Sequence, residues 1–193
     1  MIYNIYMSKT LKKLTNILII ISIVLLFSSC TQRNKTIMLT NIAIDVPGDF
    51  KPGFLDGTVA IDNTVAFNES YGVERNTGIY TIVYTKYKPA YNGIINLEKA
   101  KNRVIDGLRN HPAIKEFELV SEQIPENMPN SYKVLSSFYY GPNKTYHKSF
   151  IMLHDNGILQ IMCMYNANSK KDDKEIENII SSVRIVDESN TNN

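Results

Sequence analysis

Apolar residues fall along this chain in three patterns: one nearly unbroken run close to the start, a series of strand-like segments, and two stripes at helical spacing. Thr36 to Val46 is rich in β-branched residues and stops at Pro47-Gly48-Asp49, which predicts a strand and a turn, prolonged as a loop by Lys51-Pro52-Gly53. Two short strand-like pieces follow, Val59 to Ile61 and Val65 to Phe67, separated by Asp62-Asn63. Between Gly78 and Lys88, Tyr80, Ile82 and Tyr84 fall on one face and Ile79, Val83 and Tyr87 on the other, so this strand belongs in the interior of a sheet.

Leu97, Ala100, Val104, Ile105 and Leu108 then recur at helical spacing behind Asn96, a suitable N-cap, and His111-Pro112 ends the segment. One face of that helix has to cover a sheet. Lys115 to Ile124 alternates charged and apolar residues and reads as a strand with one wet face. Three strands come next in close succession, Tyr132 to Tyr140, Thr145 to Leu153 and Ile158 to Tyr165. Their links, Gly141-Pro142-Asn143 and Asp155-Asn156-Gly157, have hairpin chemistry and predict an antiparallel meander. A last helix starts from Asp172 as cap, with Glu175 completing a capping pair, and buries Ile176, Ile179, Ile180 and Val183. Arg184 to Val186 adds a short edge strand. No repeat is evident at periods of 20 to 50 residues.

The nearly unbroken run, Leu14 to Phe27, is shorter than the roughly 20 residues that cross a bilayer core, and Lys9, Lys12 and Lys13 precede it, so it reads as the apolar region of a secretory signal. Leu26-Phe27-Ser28-Ser29-Cys30 resembles the lipobox of bacterial lipoproteins, with Phe27 standing where leucine is usual. That resemblance implies acylation of Cys30, cleavage just before it and a lasting hold on a membrane surface; the alternative is an uncleaved signal anchor with an incidental cysteine. The expected organisation is a signal peptide over 1–29, a lipidated Cys30 and tether over 30–35, one globular domain over 36–187 and a polar tail over 188–193. Thr31 to Lys35 carries no acidic cluster, which by resemblance to sorting signals favours the periplasmic face of an outer membrane, or the outside of the cytoplasmic membrane in a host with one.

Charge changes the picture once the leader is set aside. Removing it takes three lysines and no acid, so the net charge of +2 falls to −1. No basic field remains to attract nucleic acid. A domain of about 150 residues can bury most of its surface unaided. With Cys30 acylated, Cys163 is the one remaining thiol, and its place in the run Ile158 to Tyr165 is that of a small core residue.

The order of elements, with Val46-Pro47-Gly48-Asp49-Phe50 at one end and Ile179-Ile180-Ser181-Ser182-Val183-Arg184-Ile185 at the other, resembles the PsbP-like superfamily. That group includes photosystem PsbP proteins, a Ran-binding nuclear factor and small bacterial lipoproteins. The resemblance implies an α+β fold, an antiparallel sheet with helices packed on its faces in an α/β/α sandwich, over about Thr36 to Val186. It implies no shared catalytic set. A generic α+β envelope domain and a cystatin-like sheet are the alternatives.

Candidate chemistry is sparse. His147 and His154 are an odd number of residues apart on one strand and point to opposite faces, and His111 lies beyond a helix end. With no His-x-x-x-His or Cys-x-x-Cys, no metal and no cofactor is expected. Loops at Asp49 and Asp155 lack the ligand periodicity of a calcium site. Ser136, Ser137 and Ser149 lie in strands, where backbone or solvent satisfies a hydroxyl. Tyrosine is abundant instead, mostly as strand and sheet-rim residues, with Tyr139, Tyr140 and Tyr146 expected to form an exposed interaction surface. The leading expectation is a membrane-anchored, non-enzymatic binding or assembly module with an envelope protein partner. One alternative is a hydrolase of unfamiliar type, which requires Cys163, His147 or His154 to converge with a carboxylate such as Asp155 in an open cleft. Another is a carrier of a small ligand or lipid, which requires an apolar cavity between sheet and helix.

Overall fold

The strands in chain order are β1 (Asn34–Leu39), β2 (Ile42–Pro47), β3 (Lys51–Pro52), β4 (Val65–Arg75), β5 (Gly78–Tyr87), β6 (Ile114–Gln123), β7 (Ser131–Tyr140), β8 (Asn143–His154), β9 (Gly157–Asn166) and β10 (Arg184–Ile185); the helices are α1 (Leu97–Arg109) and α2 (Lys170–Ser181). They come from a computed structural model that describes residues 34–55, 64–91 and 93–186. The leader, Cys30, the segment Val59 to Ile61 and the polar tail lie outside the described residues. Among the described residues no helix is long and apolar enough to cross a membrane.

Seven strands form the central sheet in the order β3-β4-β5-β9-β8-β7-β6, and β1, β2 and β10 form a second sheet. Every pairing in the central sheet is antiparallel. β5 lies between β4 and β9, the interior position expected for it. The meander β7-β8-β9 is formed as its turns predict. Its second link is a two-residue turn with Asp155 and Asn156 both at positive φ, 45° and 58°, the backbone a type I′ hairpin requires. Gly157 follows because the Tyr84 ring occupies the space where a Cβ would project.

The central sheet is covered on both sides. On one face, β2, β1 and α2 enclose the main core, in which Leu39, Ile42, Ile44, Phe150, Leu159, Ile161 and Ile176 have no measurable exposure. On the other face, Ala100 of α1 packs with Ile151 and Ile158 in a smaller cluster. The architecture is the expected α+β sandwich, with a small sheet sharing one layer with α2.

Several elements differ from the sequence reading, Lys51-Pro52 among them, which forms the short strand β3 and not only a loop. Thr36 to Val46 is not one strand but a hairpin, β1-β2, turning at Thr40-Asn41 with Thr40 at φ 55°. The broken alternation is the mark of that turn. β1 also begins at Asn34, within the span expected for the tether. β4 runs on from Val65 to Arg75, because Phe67, Tyr71 and Val73 pack on the main core while polar residues and Gly72 take the other face. α2 begins earlier than Asp172: Ser169 is its N-cap, accepting from the Asp172 N–H, and its own hydroxyl donates to the Asp172 carboxylate. Asp172 is thereby free to face the core.

β6, expected to have one wet face, is an edge strand with both faces mostly exposed. Its pairing with β7 is broken twice, between Lys115 and Glu118 and between Leu119 and Ser121, and Glu116 sits at φ 53°.

Candidate functional site

The site is built around α1, whose seating decides how much of the sheet is left open. Asn96 caps it, its side-chain oxygen accepting from the Lys99 N–H at 2.9 Å. Lys101, 6% exposed, donates from Nζ to Glu122 Oε1 at 2.5 Å and lies 4.7 Å from the Tyr132 ring centre. At the other end the Arg109 guanidinium lies over the Phe117 ring at 5.4 Å. These contacts tie α1 to β6 and β7. The β5 and β9 side of the same face is left beside the helix, and two clefts open there.

One cleft, of about 440 Å³, lies at the N-terminal end of α1 and is lined by Tyr87, Tyr91, Ile94, Ile95 and Ile158, with Lys99, Arg103 and Gln160 as polar neighbours. The second, of about 510 Å³, lies at the C-terminal end. Ile79 and Met164 form its floor, Leu108, His111 and Ile114 one wall, and Tyr140 with Asn143 the facing hairpin. Its apolar groups are open to solvent, with Ile79 41% and Tyr140 51% exposed. Asn76, Asn143, Asn166 and Glu74 give it a polar rim. The His111 ring is held by the Ala113 N–H, which donates to Nδ1 at 3.2 Å. Apolar floor, aromatic wall and amide rim are the makeup of a binding cleft.

A polar cluster lies on the same sheet face. His147 and Ser136 are cross-strand partners and Ser149 is two residues along from His147. Ser136 Oγ, Ser149 Oγ and His147 Nδ1 are buried with no hydrogen-bond partner among the described residues. Among the described residues no protein group, backbone included, satisfies the two strand serines. Burial pulls the His147 imidazole down to about 4, so it is neutral at pH 7.

On the opposite face of the sheet, carboxylates from α2 take up the buried tyrosines. Tyr80 OH donates to Asp172 at 2.5 Å and Tyr165 OH to Asp173 at 2.6 Å. Lys148 Nζ bridges Asp173 and Glu177 at 2.6 and 2.9 Å, and Arg75 bridges Asp49 and Glu175 at 3.0 and 2.5 Å. Tyr80, Tyr84 and Tyr165 are core residues rather than rim residues. Tyr84 is outside this network, its hydroxyl donating to the His154 carbonyl at 3.3 Å.

The three tyrosines expected to form one surface are separated. Tyr139 and Tyr140 are exposed, but as neighbours on β7 they point to opposite faces, and Tyr140 alone lines the larger cleft. Tyr146 is half-buried on the α2 side, its ring 6.0 Å from that of Tyr165. Nor do the residues of a hydrolase converge. Cys163 is fully buried on the α2 face, its thiol pushed up by burial and then by the Asp172 charge. His147 faces α1, while His154 Nε2 is 2.9 Å from Asn41 Oδ1 at the far end of β8. Asp155 is paired with Lys86 at 2.7 Å, and Asp49 with Arg75. Among the described residues no group of three or more His, Cys, Asp or Glu side chains could hold a metal ion.

No family model matches the chain, and no curated protein matches it. Solved structures do. The solution structure of cyanobacterial PsbP (CyanoP) from Synechocystis sp. PCC 6803 aligns with a TM-score of 0.56 and 9% identity over 80% of this chain and 93% of that one. The Ran-binding protein Mog1p of Saccharomyces cerevisiae aligns at 0.49 and 11% identity, over 82% and 98% of the two chains. LpqN of Mycobacterium tuberculosis, involved in cell envelope biogenesis, aligns at 0.44 and 11% identity, over 80% and 91%. The fold is PsbP-like, as the order of elements implies, and at these identities the likeness concerns fold alone.

Proposed function

We propose that this chain is a lipoprotein of the bacterial envelope, held on its membrane through Cys30, and that it acts as a non-enzymatic binding or assembly module. Its envelope protein partner docks in the cleft at the C-terminal end of α1. The observation that carries this reading is the cleft itself: about 510 Å³, with an apolar floor and the Tyr140 wall open to solvent. The lipobox-like sequence before Cys30 supports the anchored address, and an outer membrane facing the periplasm is the expected location. The dispersal of Cys163, His147, His154 and Asp155 speaks against the hydrolase alternative.

The test is site-specific photocrosslinking in intact envelope. A photoreactive residue in place of Tyr140 is expected to give one stoichiometric adduct. The same residue in place of Lys88, outside both clefts, is expected to give none. Adducts that are equal at the two positions, or absent at both, would remove the reading. A Cys30→Ala control, which should stay unacylated, tests the address independently.

The carrier alternative is favoured by one observation, the smaller cleft of about 440 Å³ walled by Tyr87, Tyr91, Ile94 and Ile95. Native mass spectrometry of the extracted protein would then show a bound small molecule, and its displacement by an Ile94→Asp substitution would assign it to that cleft.

A further inference from the structure

One end of the domain gathers exposed lysines. Lys170, Lys171 and Lys174 stand on the outward side of α2, and Lys144 stands on β8 directly across from Tyr139, itself 37% exposed. The Ala167 N–H donates to the Lys144 carbonyl at 3.0 Å, which brings the start of α2 against the β7–β8 hairpin. Among the described residues, none of these four lysines is in an ion pair. The acids nearby are exposed Glu74, the Asp49 and Glu175 pair that shares Arg75, Asp173 and Glu177, which share Lys148, and the exposed Glu116 and Glu118 of β6, the strand beside Tyr139.

The chain enters the fold at this same end. Lys35 donates to the Phe50 carbonyl, the Phe50 ring meets Tyr80 edge-on at 6.1 Å, and Tyr80 bonds to Asp172 in the first turn of α2. Lys35 is five residue steps from Cys30, a covalent reach of at most about 18 Å.

We propose that this end, with Lys144, Lys170, Lys171, Lys174 and the Tyr139 ring, is a contact surface for anionic lipid headgroups. The inference rests on the anchored reading above. Charge complementarity chooses the occupant, since each lysine near a negatively charged leaflet is attracted to it, and tyrosine suits the headgroup level. The acyl chains at Cys30 hold the domain within reach, and the lysines fix which end meets the bilayer. The larger cleft is at the same end on the other side of the sheet, so it opens sideways at headgroup height.

The test uses the protein extracted from its membrane and reconstituted into vesicles of phosphatidylcholine alone or of phosphatidylcholine with phosphatidylglycerol. Amine-reactive labelling followed by mass spectrometry reads each lysine. On phosphatidylglycerol vesicles, labelling of Lys144, Lys170, Lys171 and Lys174 should slow by about tenfold, as expected for several lysines held at an anionic surface. Lys88 and Lys99, at the other end of the domain, should not change. Hydroxyl-radical footprinting of Tyr139 should show protection that disappears when all four lysines are changed to glutamine, the thermal unfolding of that variant in detergent being unaltered.

Equal labelling on the two vesicle types, or protection at Lys88 and Lys99 as well, would overturn the inference. So would equal protection by soluble polyphosphate, which would assign the surface to a free polyanion. Intact mass tests the underlying reading separately. A protein without an acyl group sinks the anchor, and the headgroup surface then stands only if that protein still binds phosphatidylglycerol vesicles with the same four lysines shielded.

Discussion

Tyr80 of β5 and Asp172 of α2 meet at 2.5 Å inside the main core, each with only 1% of its surface exposed. The contact fastens the first turn of the last helix to a central strand, and Ser169 holds the other carboxylate oxygen. Asp172 lies below the ordinary carboxylate range: burial pushes it up, but hydrogen bonds from Ser169, Tyr80 and Thr77 and the charge of Arg75 outweigh that.

Tyr80→Phe leaves a buried, charged acceptor one donor short. It should lower stability by about 1–2 kcal/mol. The urea-unfolding midpoint should fall with an unchanged slope, and a midpoint equal to that of the parent would show that the bond carries no net stability.

His147 gives the protein a pH dependence of its own. Its folded value near 4 lies below the ordinary 6.5, so the unfolded chain takes up a proton first as the pH falls. Stability should be full above about pH 7 and decline between 6.5 and 4, by about 3 kcal/mol in all for a shift of this size. Asp172 and Asp173, both held below 3.8, contribute stability that is present above that value and lost only at lower pH. Urea midpoints at pH 7.5, 5.5 and 4.5 should therefore fall in the parent and stay nearly level in His147→Gln.

Gly72 lies on β4 where an added Cβ would come within 2.5 Å of the Phe54 ring and 2.7 Å of the Tyr80 carbonyl. Gly72→Ala should cost about 1–3 kcal/mol through overpacking. A thermal midpoint unchanged from that of the parent would mean that the Phe54 loop yields without cost.

Cys163 should be inert in the folded protein. Its thiol is buried and held protonated, so iodoacetamide should label it only after denaturation. Labelling of native protein at the rate of a free thiol would contradict the burial and reopen a chemical role for this residue.

Elements with strong local signals were legible in the sequence, and those set by tertiary contacts were not. The helical stripe behind Asn96 and the apolar faces of β5, β8 and β9 place α1 and the meander because periodicity and turn chemistry agree there. β4 escapes notice past Phe67 because Ser70, Gly72 and Glu74 dilute its alternation. Gly72 does carry a signal, since a glycine inside a strand marks a close approach, here by Phe54. The start of α2 is ambiguous in sequence because Ser169 and Asp172 are both good caps, and burial of Asp172 against Tyr80 decides between them. The odd spacing of His147 and His154 places them correctly on opposite faces. The clefts beside α1 have no sequence signature, since they arise from where Lys101 and Arg109 fasten the helix sideways.

Among the described residues, the two end strands of the seven-stranded sheet are poor templates on which another strand could grow. β3 is two residues long and ends in Pro52, while β6 is kinked out of register twice and studded with charge. Flat, regular borders recruit further strands, and these are neither. These two strands should therefore resist pairing with a strand of another copy even when many copies crowd together.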